Sequence, residues 1–129
     1  MHALADVMTR DILAVERDVR LPEAAARMVA RSVGAAIILE GERLVGILTE
    51  RDVLRAVASG RDAESTVEEW MTRHPETIEP ADSTDHAAAL MIHGGFRHLP
   101  VVEDDRVVGI VSIRDLVRIA LADTSPRGA

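Results

Sequence analysis

"GILTERD" occupies Gly46–Asp52, and "GIVSIRD" occupies Gly109–Asp115, 63 residues further along a chain of 129. Each stretch joins a glycine and an apolar pair to a hydroxyl residue, with an Arg-Asp pair following. Taken singly, Thr49-x-x-Asp52 is an ordinary way to begin a helix. Its return at a fixed distance makes it a feature of the whole chain.

Sliding the sequence by 63 brings residues 8–58 onto 71–121 without a gap. Met8-Thr9-Arg10 meets Met71-Thr72-Arg73, and Ala24, Ala25, Ala26 and Met28 meet Ala87, Ala88, Ala89 and Met91. Glu40, Arg43, Val45, Gly46 and Ile47 meet Glu103, Arg106, Val108, Gly109 and Ile110, and Arg51, Asp52 and Arg55 meet Arg114, Asp115 and Arg118. The chain is a tandem duplication. Its copies read as 4–58 and 70–121, joined by a polar linker at 59–69 and followed by a loose tail at 122–129.

Each copy predicts one supersecondary unit. Pro22 suits the first turn of a helix, and Ala25, Met28 and Val29 recur at helical spacing, as do Ala88, Met91 and Ile92. Short apolar runs follow, "AAIIL" (35–39) and "LPVV" (99–102). The turns "EGE" and "EDD" then lead into "LVGIL" and "VVGIV", predicting hairpins. A second helix closes each copy, with Val53, Leu54 and Val57 or Leu116, Val117 and Ala120. Extended lead-ins pass through Val15 and Ile78. Thr66-x-x-Glu69 predicts a capped short helix holding Trp70 and Met71. The class is α/β, and neither copy has enough core to stand alone.

Composition excludes several functions. The formal charge is −7, with 22 acidic residues against 15 basic, which opposes nucleic-acid binding by counterion release. With no cysteine there is no disulfide, thiol nucleophile or thiolate metal site. His74, His86, His93 and His98 lack an acidic cluster to complete a metal site, so no metal is expected. Ser112 is not in a G-x-S-x-G elbow, and no polarised acid–base pair can be named, which opposes an enzyme. No apolar run reaches membrane-spanning length and the N-terminus lacks a signal peptide's order, predicting a soluble cytoplasmic protein.

The repeated Thr/Ser-x-x-Asp admits two readings. In one, the hydroxyl and the carboxylate cap a helix. In the other, the helix N-terminus, the hydroxyl and Arg51 or Arg114 receive a phosphate. Asp52 or Asp115 then accepts the vicinal hydroxyls of a ribose, and the glycine lets the ligand approach the strand.

The duplicated pattern resembles a pair of CBS domains, the cystathionine β-synthase-type repeat, forming a Bateman module. The resemblance rests on "VMTRD" and "WMTRH", the Ala-rich first helices, "GILTERDVL" and "FRHLPVVEDDRVVGIVSIRDL". It implies two β-α-β-β-α repeats packed through their sheets about a pseudo-twofold axis, with clefts for adenosine-containing ligands: AMP, ADP, ATP, S-adenosylmethionine or NAD. It places Thr49 and Asp52 in one cleft and Ser112 and Asp115 in the other, with Val15 and Ile78 where the base lies. The implied pattern is crossed. Asp52 then faces Arg97, His98, Leu99 and Pro100, and Asp115 faces Gly34, Ala35 and Ala36, making the Asp52 cleft the tighter for phosphorylated ligands. The first copy departs from the pattern by holding Ile37 where the second has Pro100.

The function expected is a stand-alone regulatory module that binds an adenine nucleotide, forms a homodimer and signals to an effector protein. The alternative is a structural or dimerisation module with vestigial clefts.

Overall fold

The computed structural model describes residues 2–124. In the first half of the chain the elements are β1 (Ala14–Val15), α1 (Leu21–Arg31), β2 (Ala35–Glu40), β3 (Arg43–Thr49) and α2 (Glu50–Ser59). Then come α3 (Val67–Trp70), β4 (Thr72–Arg73), α4 (Thr84–Gly94), β5 (His98–Glu103), β6 (Arg106–Ser112) and α5 (Ile113–Thr124). The class is α/β, with the same helix–strand–strand–helix order in each copy.

Local chemistry accounts for the element ends. Pro22 stands in the first turn of α1, where its missing N–H breaks no bond. α4 starts instead from Ser83, whose Oγ accepts the His86 N–H at 3.1 Å. Both hairpins close through two-residue loops, since Glu40 pairs with Arg43 and Glu103 with Arg106. Gly41 has φ +64°, while Asp104 and Asp105 take +53° and +64°, a region Asp tolerates better than most residues. α5 continues to Thr124 through the helix-favouring Ala120, Leu121 and Ala122. Residues 122–124, expected in a loose tail, are therefore helical, and 125–129 lie outside the described residues.

The copies exchange their leading segments. One compact unit is Asp11–Pro75; the other joins the segment ending at Arg10 to the chain from Glu76 onward. Leu4, Met8 and Val7 pack with Ile78, Met91, Leu99, Val101 and Val111, the core of the second copy. Val67, Met71 and Trp70 pack with Val15, Met28, Ile38 and Leu48, the core of the first. The two arrangements match bond for bond. Leu4 N–H donates to Asp82 O at 2.9 Å and Val67 N–H to Val19 O at 2.8 Å, and Met8 and Met71 close back on Leu4 and Val67. Leu4 and Val67 are both fully buried. The second copy thus begins with α3 at Val67, inside the segment expected to be linker, because this apolar residue fills the place that Leu4 fills in the other unit.

Leu21, Ala24 and Met28 form the buried row of α1, and Ala87 and Met91 that of α4. Val29 and Ile92, expected beside them, are 79% and 75% exposed. Adjacent helical residues point about 100° apart, and each helix covers a small sheet with one row only. Leu54, Val57, Val117 and Leu121 likewise face outward on α2 and α5.

The sheets share a plan and differ in extent. In the first unit β1, β2, β3 and β4 make a four-stranded sheet; in the second, β5 and β6 pair alone and the flanking positions are single bridges, Ile78 to Val101 and Thr9 to Ile110. Ile37 N–H donates to Leu13 O at 2.8 Å, which ties β1 to β2. The matching residue is Pro100, which has no N–H to give.

Candidate ligand-binding sites

In the first unit the site residues converge where β3 passes into α2. Thr49 is the N-cap, and its N–H donates to Asp52 Oδ2 at 2.9 Å. The Thr49 hydroxyl donates to the same oxygen at 3.1 Å, and Asp52 N–H approaches Thr49 Oγ1 at 3.4 Å. Glu50 N–H donates to Gly34 O at 3.0 Å, and Ala35 and Ala36 lie opposite Thr49 and Leu48. Gly34, Ala35 and Ala36 therefore line the same junction as Thr49 and Asp52. Arg51 is exposed on the first turn of α2, Asp52 is buried, and Val15 is buried in β1 beside Ile38.

The second unit repeats this geometry with different side chains. Ser112 N–H donates to Asp115 Oδ2 at 2.9 Å, and Asp115 N–H to Ser112 Oγ at 3.2 Å. Ile113 N–H donates to Arg97 O at 2.9 Å, and His98 lies opposite Ser112. Leu99 and Pro100 continue inward, both buried, opposite Val111 and Ile110. Arg97 and Arg114 are exposed, His98 is half-buried, and Ile78 is buried against Val101. Within this unit Arg97 and His98 thus share the junction that carries Ser112 and Asp115.

The capping reading of the repeated motif describes both junctions. It does not close them to a ligand, because a carboxylate has about four acceptor positions and a cap uses only some.

The glycines have another task than the one expected. A Cβ on Gly46 would stand 2.6 Å from Met71 Sδ and 2.9 Å from Thr72 O. On Gly109 it would stand 2.8 Å from Met8 Sδ and 2.9 Å from Thr9 O. Each glycine makes room for the other copy's leading segment, where ligand approach was expected. That is why "GI" recurs in step with "MTR".

Two residues that sequence reasoning did not nominate belong to the first junction. Arg55 Nη1 meets Asp52 Oδ1 at 3.0 Å, and its guanidinium lies 5.6 Å from the centre of the Trp70 ring. The recurrence of Arg55 as Arg118 was visible, but Trp70 comes from the exchanged leader and has only Val7 as its counterpart. Among the described residues its buried indole N–H has no acceptor. Among the described residues no three His, Asp or Glu side chains stand together as a metal site would require, and no helix is long and apolar enough to cross a membrane.

Comparison with known proteins agrees with this architecture. The family model of the CBS domain matches twice, at residues 4–59 and 67–122. The CBS domain-containing protein YhcV of Bacillus subtilis is 35% identical over 130 aligned residues, covering 100% of this chain and 93% of its own. A solved protein with CBS domains from Burkholderia ambifaria MC40-6 superposes with a TM-score of 0.91 at 32% identity, over 99% of this chain and 100% of that one. The CBS domain pair of protein MJ0100, solved in complex with 5′-methylthioadenosine and S-adenosyl-L-methionine, has a TM-score of 0.89 at 29% identity, over 95% of this chain and 98% of that one. A duplication whose two copies each match the family makes this chain a tandem pair belonging to the CBS domain family.

Proposed function

We propose that the chain is a regulatory module that binds adenosine-containing ligands at its two strand–helix junctions and passes the signal to a partner protein. The carrying observation is the recurrence of a hydroxyl and an aspartate at both junctions, Thr49 with Asp52 and Ser112 with Asp115. A fixed carboxylate can accept the hydroxyls of a ribose and a helix N-terminus suits a phosphate, and each unit has both side by side. The MJ0100 pair, bound to two adenosine derivatives, supports the ligand class. The ligands we assign are AMP, ADP or ATP, with S-adenosylmethionine and NAD as the wider class.

The outward apolar residues support a homodimer. Val29, Leu54 and Val57 in one unit, and Ile92, Val117 and Leu121 in the other, are each at least half exposed. A second copy presenting the same surface would cover them. Sedimentation as a monomer at micromolar concentration would overturn that assignment.

A second reading rests on the complete caps at both junctions. If Asp52 and Asp115 serve only as caps, the pair is a structural module. Calorimetry with AMP, ATP, S-adenosylmethionine and NAD separates the two, applied to the wild type, Asp52→Asn and Asp115→Asn. Asn keeps a carbonyl for the cap but loses the charged acceptor, so each change should weaken its own site about tenfold or more with little loss of stability. Variants that bind as the wild type does but unfold early would leave the structural reading standing.

A further inference from the structure

The two aspartates are not equally available. Asp52 has a side chain only 6% exposed, and three of its roughly four acceptor positions are taken. Thr49 uses Oδ2 twice, through its N–H and its hydroxyl, and Arg55 uses Oδ1 at 3.0 Å. A vicinal diol donates two hydrogen bonds to one carboxylate, one more than Asp52 has to spare. Asp115 is 18% exposed; its Oδ2 takes the Ser112 N–H, and Arg118 stands 3.7 Å from Oδ1, beyond hydrogen-bond distance.

One side chain accounts for the difference. Arg55 and Arg118 occupy matching positions and are comparably exposed, at 60% and 69%. Arg55, however, rests over Trp70, within the range in which an aromatic face attracts a guanidinium. Trp70 is itself fixed against the core of the first unit. The residue matching Trp70 is Val7, which offers Arg118 no ring. The arginine is thus seated on a ring in one unit, whereas in the other it forms a looser ion pair at 3.7 Å.

We propose that Arg55, held on Trp70, is an internal competitor for Asp52, so that a ribose diol binds at Asp52 only by displacing the guanidinium. The Asp52 site is then the weaker of the two for an uncharged nucleoside, and its occupation disturbs the chain's single tryptophan. The inference rests on the functional reading above, and adenosine is the probe because it brings the diol without a phosphate.

The experiment isolates each site. Adenosine is titrated by calorimetry and by Trp70 emission into Asp115→Asn, which keeps the Asp52 site, and into Asp52→Asn, which keeps the Asp115 site. Each is then combined with Arg55→Ala, Arg55→Gln or Arg118→Ala. Removing the Arg55 guanidinium should tighten the Asp52 site about two- to fivefold, the range of a partly exposed ion pair, and leave the Asp115 site unchanged. Arg118→Ala should move the Asp115 site by less. Adenosine should alter Trp70 emission in the Asp115→Asn protein, and that response should be lost with Arg55. If the Asp115 site binds adenosine but both Arg55 variants leave the Asp52 site unchanged or weaker, the competitor is refuted and the functional reading survives. If the wild type binds AMP but adenosine at neither site, the competitor is refuted and the functional reading survives. If it binds none of adenosine, AMP, ATP, S-adenosylmethionine and NAD, the functional reading fails and the competitor with it.

Discussion

The two units follow one plan so closely that their differences read as substitutions within a single protein. Asp11–Pro75 carries Ile37, Trp70, Thr49 and Gly34 where the other unit carries Pro100, Val7, Ser112 and Arg97. Ile37 donates to Leu13 and β1 forms as a strand; Pro100 cannot donate and the same place is a single bridge. Trp70 seats Arg55 against Asp52 at 3.0 Å; where Val7 takes its place in the plan, Arg118 pairs with Asp115 more loosely, at 3.7 Å. The backbone plan survives these changes because its fixed points lie elsewhere, in Leu4 and Val67, Met8 and Met71, Gly46 and Gly109. Structure is held by what the copies share, and the character of each site by where they differ.

The sharpest way to break this comparison is to remove a shared fixed point. Leu4→Ala empties a fully buried place and should cost about 2–5 kcal/mol, with Val67→Ala costing less in proportion to its smaller side chain. The location of the effect is the sharper test. Because Leu4 packs with Leu99, Val101 and Val111, hydrogen exchange in Leu4→Ala should rise in β5 and β6 before β2 and β3, although β2 and β3 are nearer in sequence. Faster exchange confined to residues 35–49 would show that the leading segments hold their own copies.

Next in size are the glycines. Gly46→Ala and Gly109→Ala should each destabilise by about 1–3 kcal/mol, and by similar amounts, since each new Cβ meets a thioether and a backbone carbonyl. A companion Met71→Ala change should relieve Gly46→Ala only in part, because Thr72 O remains in the way. Urea unfolding measures all of these. A neutral Gly109→Ala beside a costly Gly46→Ala would mean that the leaders are not seated alike.

Much of this was legible in the sequence, for identifiable reasons. The 63-residue period, the hairpins, the helix starts at Pro22 and Thr49, and the Thr66–Glu69 cap are local or periodic signals, and the structure carries each of them. The helix faces were read one position off at Val29 and Ile92, because apolar character alone does not separate a core row from an outward one. The exchange of leaders was not legible at all. Self-similarity shows that "VMTRD" and "WMTRH" are equivalent, but equivalence does not say which copy each one packs against. Missing that, the reading gave Gly46 to a ligand when Met71 occupies its space, and it could not bring Trp70 to Arg55.

The smallest effect tests the proline. Pro100→Ile restores an N–H, and it should bond to the carbonyl of Glu76, the counterpart of Leu13, as Ile37 does to Leu13. The new hydrogen bond is worth about 0.5–1.5 kcal/mol. Losing the proline frees the unfolded chain and returns about 0.4–1 kcal/mol in the opposite direction. The two nearly cancel, so the midpoint in urea should shift little. The signature should appear in hydrogen exchange, where the new amide of residue 100 becomes as protected as that of Ile37. Strong destabilisation with an unprotected amide would show that Pro100 is retained for its packing between Ile78 and Ile110, and that the shorter sheet has another cause than the missing N–H.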